Sequence, residues 1–401
     1  MNRSIDLFCT VIDNYGDAGV TYRLARILSK MGYAVTLFIN NLSIIKRLNS
    51  NIDDKTNKTS ELLTPQKFKE QQLSENLVLR YWIPEDSTEY DENSYRDFTY
   101  IPSQIIIEAF QCNLPKEIVK KFTNTTIWIN LEYLSAEKWI EDCHKLPSIQ
   151  KNNVNKYFFF PGFTTKTGGL NFEEQLSKKS KEQAIQDITK LFKTDTDLSK
   201  GFKVLIFTYE NKALIQLLKA IITTIHNPIL FLPDGKSTKY LENNEKYKNL
   251  LKENPTLKII KFEMINQENF DILLKAMDLN VVRGEDSFAQ SNMIGVPFLW
   301  HIYPQDEDTH LVKLKAFTDL YTENCPDSLK NTIEKAFFSL NNSDSEEESE
   351  SLLNFNNFMI KYPEICTLSA KWSEQLLKIG NLGRHLDSFI QKTQNILKVN
   401  K

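Results

Sequence analysis

Short apolar runs separated by polar, helix-like segments recur along the chain. Residues 5–12, IDLFCTVI, form a run rich in branched side chains. The loop DNYGDAG follows, and in VTYRLARILSKMG the residues Val20, Leu24, Ile27 and Leu28 fall at helical spacing. This reads as strand, loop, helix. The alternation continues through YAVTLFIN (33–40), LVLRYW (77–82), QIIIEAF (104–110), TTIWINL (125–131) and KYFFFPG (156–162). Apolar strands alternating with helices predict a parallel sheet covered on both faces.

A charged stretch over 173–200 interrupts the rhythm, which then restarts. FKVLIFTY (202–209) leads into the helical ALIQLLKAIITTI, and PILFLPD, LKIIKFEMI, DLNVVRG and VPFLWHIYP follow as further strand-like runs. Between them lie the amphipathic segments ENFDILLKAM (268–277) and HLVKLKAF (310–317). At 401 residues the chain is too long for one ordinary core. The expectation is an α/β chain of two Rossmann-like doubly wound domains facing across a cleft, 1–184 and 185–365. A helical segment, 366–401, is predicted to pack back on the first domain. The acidic insert NNSDSEEESES (341–351) is expected to be a solvated loop.

Composition narrows the function. Hydrophobic residues make up 41% and aromatics 11%, enough to fill two cores. A net charge of −3, from 49 basic and 52 acidic residues, gives no field that would draw nucleic acid or an anionic membrane. No window approaches the ~18 consecutive apolar residues of a membrane span. The amino terminus shows no apolar core and small-residue cleavage site of a leader, so a cytoplasmic protein is expected. The five cysteines, Cys9, Cys112, Cys143, Cys325 and Cys366, are scattered without a CxxC pair and read as reduced packing residues. His301 and His310 are not at a helix-face ligand spacing, so no metal is expected.

Two loops carry the candidate chemistry. The first, Asp13-Asn14-Tyr15-Gly16-Asp17-Ala18-Gly19, follows the first strand, where open α/β sheets place their ligands. Its glycines allow a substrate to approach closely, but GxGxxG is absent, which argues against NAD or FAD. Asp13 or Asp17 capping the next helix is the structural alternative. The second loop, Arg283-Gly284-Glu285-Asp286-Ser287, again joins a strand to a helix. Backbone N–H groups there, with the Ser287 hydroxyl and the Arg283 guanidinium, can cradle a diphosphate. Glu285 and Asp286 would be repelled by that diphosphate, so they serve either sugar hydroxyls or the helix cap. Phe207 and Tyr209, two apart on a strand, point to one face and can sandwich a pyrimidine, with Gln267 offering an amide and Phe270 a second wall. Core packing is the alternative for these aromatics. Tyr303 can donate to a phosphate oxygen.

The stretches DLFCTVIDNYGDAGVTYRLAR, IIEAFQCNLP, WINLEYLSAEKWIEDCHKLPS, KYFFFPGFTTKTGGL, DLNVVRGEDSFAQ and PFLWHIYPQDEDTHLVKLKAF occur in this order over residues 5 to 317. Together they resemble the elongation factor P arginine rhamnosyltransferases. The resemblance implies a GT-B fold with an acceptor-side first domain and a nucleotide-sugar-binding second domain. It also implies an inverting, metal-independent reaction with dTDP-β-L-rhamnose as donor and elongation factor P as the protein acceptor. By motif it assigns Asp17 as general base, Asp13 as its neighbour at the acceptor, and Phe207, Tyr209, Gln267 and Phe270 to the thymine nucleoside. Arg283, Gly284, Glu285, Asp286, Ser287 and Tyr303 fall to the diphosphate and sugar, with Glu285 also catalytic and Asn14, Tyr15 and Gly16 bordering the donor. The helix after EDSF departs from the family pattern, reading AQSNMIGVP where a basic residue and Trp are common. A GT-B enzyme with another nucleotide-sugar donor or acceptor is the alternative.

An arginine acceptor demands help, because its guanidinium is delocalised and remains protonated. Two carboxylates in one loop suit that task. One grips the guanidinium and the other takes the proton as the anomeric carbon is attacked.

Overall fold

The computed structural model describes residues 3–12, 15–49, 52, 65, 70–90, 95, 99–151, 153–342 and 347–399. The chain divides into two compact units. Met1–Glu173 with Ile379–Lys401 form the first, and Glu174–Lys378 the second.

The first unit is built on an eight-stranded sheet. Its strands are β1 (Ser4–Cys9), β2 (Ala34–Ile39), β3 (Gln71–Ser74), β4 (Leu77–Tyr81), β5 (Ile105–Ala109), β6 (Ile127–Leu131), β7 (Pro147–Ile149) and β8 (Asn155–Phe159), in the order β3-β4-β2-β1-β5-β6-β8-β7. All neighbours are parallel except the edge pairs β3–β4 and β7–β8. Strand alternation divides β1 between two cores. Ile5 and Leu7 pack under Leu24, Ala25 and Leu28 of the helix Tyr15–Lys30. Phe8, on the other face, stacks on Phe38 at 4.3 Å and meets Trp82 edge-on at 5.4 Å. Each such side chain, fully buried, contributes roughly 1.5–3 kcal/mol of transfer free energy. The helix Leu382–Val399 joins the first of these cores through Leu382, Leu386 and Ile390, one residue per turn.

The return of the chain into this unit depends on glycine. Gly380 (φ +93°) ends the helix Tyr362–Ile379, and its carbonyl lies over Gly169 (φ +71°). A Cβ at Gly169 would come within 2.5 Å of that oxygen. The approach lets Leu382 N–H donate to the Leu170 carbonyl at 2.8 Å, continuing an isolated bridge between Leu170 and Asn381.

The second unit has a five-stranded, wholly parallel sheet: β9 (Phe202–Ile206), β10 (Pro228–Pro233), β11 (Lys258–Phe262), β12 (Leu279–Arg283) and β13 (Phe298–His301), ordered β11-β10-β9-β12-β13. In both units the strand order reverses beside the first strand, between β1 and β5 and between β9 and β12. Open sheets bind ligands outside the carboxyl ends of strands at such points.

Several sequence expectations need correction. The charged stretch 173–200 contains a helix, Lys181–Phe192, started by a capping box in which Ser180 and Gln183 satisfy each other's backbone N–H groups. That helix packs on Gln267–Ala276, so residues 174–184 belong to the second unit and not to a domain ending at 184. The boundary at 365 also moves. Trp372 donates to Asn292 and Ser373 to the Met293 carbonyl, holding residues 366–378 to the second unit. Of the acidic insert, 343–346 lie outside the described residues, but Glu348 opens the helix Glu348–Ile360 and is bound by Lys246 and Gln216. Residues 347–350 are exposed, as expected, but from Glu348 onward the insert is helix and not loop. The edge strands β3 and β7 were not expected, because QQLS and PSI carry no apolar run.

Candidate active site

At the switch point of the second sheet, Arg283 ends β12 and Phe207 follows β9 directly. Both Phe207 and Tyr209 lie just past the strand, which stops at Ile206. The Arg283 guanidinium stands 4.6 Å from the Phe207 ring centroid and 4.8 Å from that of Tyr209, and its Nη1 donates to the Thr208 carbonyl at 3.4 Å. A cation facing two π systems is attracted by both, which holds the fork in place. Phe270, in the first turn of the helix Gln267–Ala276, meets Phe207 at 4.9 Å, and Tyr303, 44% exposed, meets Tyr209 edge-on at 5.5 Å. One arginine and four aromatic rings singled out from the sequence therefore lie together. His301, at the end of β13, lies 5.3 Å from Tyr209. Burial, then the Arg283 charge, then His310 push its pKa down to about 3, so it is a neutral imidazole at physiological pH.

Gly284 (φ +61°) turns the chain from β12 into the helix Asp286–Ile294, and its carbonyl accepts Trp300 Nε1 at 2.7 Å. Glu285 occupies the cap position of that helix, yet its side chain makes no capping hydrogen bond, which removes the capping alternative for this residue. Asp286 lies in the first turn and accepts the Gln267 amide at 2.9 Å, so the Gln267 N–H faces this carboxylate rather than open space. The Ser287 hydroxyl donates to the Arg283 carbonyl at 2.6 Å, bracing the turn.

The first unit offers a different chemistry. Asp13 and Asn14 lie outside the described residues. Tyr15 and Gly16 begin the helix Tyr15–Lys30, and the Tyr15 hydroxyl accepts Arg47 Nη1 at 2.8 Å. Asp17, 2% exposed, accepts Ile12 N–H at 2.8 Å on Oδ2 and the Tyr133 hydroxyl at 3.3 Å on Oδ1. Such an acceptor-only group can take a proton when a basic substrate reaches it. Beneath it, burial and the Asp17 charge drive the Cys9 thiol far above its ordinary pKa, so Cys9 is an inert thiol.

Sequence reasoning did not single out Tyr133, Phe110 or Glu132. The Tyr133 ring stacks on Phe110 at 4.2 Å, while Glu132 accepts from Gln111 and Asn130. Burial raises the Glu132 pKa, against the opposing pull of Gln111, Lys156 and Asn130. The available signal was positional: all three residues directly follow β5 or β6, on the side of the sheet where the first loop lies. Among the described residues no three His, Cys, Asp or Glu side chains converge as metal ligands, and no helix is long and apolar enough to cross a membrane.

Two Rossmann-like sheets, one ending in an arginine–aromatic cluster and the other in a buried carboxylate, define a GT-B glycosyltransferase. Solved structures agree on the fold. The crystal structure of LpCGTa in complex with UDP matches with a TM-score of 0.55 at 11% identity, over 98% of this chain and 99% of its own. A structure described as the basis for EarP-mediated arginine glycosylation of translation elongation factor EF-P matches with a TM-score of 0.60 at 22% identity, over 97% of this chain and 99% of its own. Residues 5–391 match the family model of the elongation factor P (EF-P) rhamnosyltransferase EarP. The protein-arginine rhamnosyltransferase of Shewanella oneidensis is 31% identical over 97% of this chain and 98% of its own length. That of Pseudomonas aeruginosa is 34% identical over 82% and 85%. The chain belongs to the EarP family of elongation factor P rhamnosyltransferases.

Proposed function

We propose that this enzyme transfers L-rhamnose from dTDP-β-L-rhamnose to an arginine side chain of elongation factor P, with inversion and without a metal. The observation that carries the donor half is the Arg283 fork held between Phe207 and Tyr209 beside the start of the helix Asp286–Ile294. A guanidinium and a helix amino terminus supply the positive charge that a departing nucleoside diphosphate needs, the work a metal ion performs elsewhere. Phe207, Tyr209 and Phe270 offer π faces to the thymine. Gln267 serves the thymine nucleoside with them, Gly284, Asp286, Ser287 and Tyr303 serve the sugar diphosphate, and Asn14, Tyr15 and Gly16 are further donor-binding residues.

On the acceptor side, Asp17 is the general base and Asp13 the clamp on the guanidinium. As an arginine nitrogen attacks the anomeric carbon, the carbon–oxygen bond to dTDP breaks, the diphosphate leaves with the electron pair, and Asp17 accepts the proton. Glu285, acidic and not engaged in capping, supports the sugar in this step. Elongation factor P as the acceptor is supported by family membership and by the description of the matched EF-P glycosylation structure.

The test is intact mass of elongation factor P after incubation with the enzyme and dTDP-β-L-rhamnose in the presence of a chelator. One added deoxyhexose on an arginine, absent with Asp17→Ala and reduced with Glu285→Ala, is expected. If dTDP binds but no mass is gained, the acceptor assignment falls. Transfer from a UDP sugar in preference to the dTDP donor would support the alternative.

A further inference from the structure

The Asp17 carboxylate is held at both oxygens by two different parts of the first unit. Ile12 N–H reaches Oδ2 from the loop after β1, and the Tyr133 hydroxyl reaches Oδ1 from the segment after β6. With Asp17 only 2% exposed, protein donors and not bulk water set the plane of the carboxylate. Tyr133 is itself held: its ring lies on Phe110 at 4.2 Å with only 10° between the planes.

That stack is maintained against backbone preference. Phe110 and Gln111 adopt φ of +57° and +51°. A left-handed conformation costs a bulky residue roughly 1–2 kcal/mol, and such strain concentrates where function requires a side chain in a set place. The Phe110 N–H donates to the Leu131 carbonyl at 2.7 Å, which ties the end of β5 to the end of β6 and so the Phe110 ring to Tyr133.

We propose that Tyr133 is a positioning residue: its hydroxyl, held in place by the Phe110 ring, orients the Asp17 carboxylate for proton transfer from the acceptor arginine. This rests on the reading of Asp17 as base. A group that acts only by aiming a base affects the transition state and not ground-state binding, so its loss appears in kcat and not in KM.

The experiment is steady-state rhamnosyl transfer by the full chain, with elongation factor P and dTDP-β-L-rhamnose. Tyr133→Phe keeps the ring and the stack and removes only the hydroxyl. We expect kcat to fall about tenfold, with both KM values within about twofold and an unchanged melting temperature. Phe110→Leu, which keeps the hydroxyl and removes the stack, moves kcat in the same direction. Wild-type kcat in Tyr133→Phe, or a raised acceptor KM at unchanged kcat, overturns the proposal. Asp17→Asn is run alongside. Full turnover by that variant defeats the base assignment itself, whereas a dead Asp17→Asn with a wild-type Tyr133→Phe defeats only the role of Tyr133.

Discussion

Replacing Arg283 separates what its charge does from what its shape does. In the structure the guanidinium faces two rings, at 4.6 and 4.8 Å, and among the described residues gives one long hydrogen bond to a carbonyl, which leaves donors for a ligand. Charge-assisted hydrogen bonds contribute roughly 1.5–3 kcal/mol, and a guanidinium fork on a diphosphate falls within that range. Taking about 2 kcal/mol for Arg283→Ala, and tenfold in Kd per about 1.4 kcal/mol, dTDP should bind about thirtyfold more weakly. Arg283→Lys retains the charge but loses the planar fork and its seat between the rings, so about tenfold is expected. Isothermal titration of dTDP into each variant measures both values without requiring turnover. An unchanged Kd for Arg283→Ala would remove Arg283 from the donor site. Equal affinity for Lys and Arg would show that the aromatic seat contributes nothing to recognition.

Other consequences follow from the same geometry. His301 should titrate higher in Arg283→Ala than its present value of about 3, yet stay below 6.5 because burial is the larger cause; histidine NMR titration reads this, and no movement would refute the coupling. Asp278 is opposed by burial, but Lys181 and Lys203 outweigh it and hold its pKa below 3.8, so its contribution is present above that value and lost as pH falls through the folded one. Asp278→Asn should therefore lower stability at neutral pH by about 2 kcal/mol, leaving Lys203 buried without its carboxylate, and the two melting curves should converge in acid. Curves that remain parallel across the acid range would contradict it. Gly169→Ala places a Cβ 2.5 Å from the Gly380 oxygen at a φ of +71°. A loss of about 2 kcal/mol, or roughly 4–8 °C in melting temperature, is expected, and an unchanged melting temperature would show that the approach is not tight.

What the sequence revealed followed from physical scale. Buried parallel strands are apolar on both faces, so runs such as IDLFCTVI and FKVLIFTY are visible, and loops at their carboxyl ends are natural places to look for Asp17, Phe207 and Arg283. The edge strands β3 and β7 are short and half solvated, so no apolar run marks them. The capping box at Ser180 and Gln183 was written in the sequence, but the surrounding charge masked it. Tyr133 and Phe110 are harder to find. Their relation depends on β5 and β6 lying side by side and on a left-handed turn at a phenylalanine, neither of which leaves a local periodicity. The pairing of Gln267 with Asp286 likewise joins two helix starts that only the sheet order brings together.

The helix Leu382–Val399 belongs to the core of the unit that begins the chain, while everything from Glu174 to Lys378 forms the other unit. On the ribosome this sets an order of events. The second unit can fold when its own residues have emerged, but the first must keep a pocket for Leu382, Leu386 and Ile390 unfilled while roughly 200 further residues are made, some 10–40 s at typical rates of synthesis. During that interval an apolar face over β1 is open to water and to chaperones. Truncation near residue 380 should therefore yield a nascent chain with a finished second half and an uncovered first half.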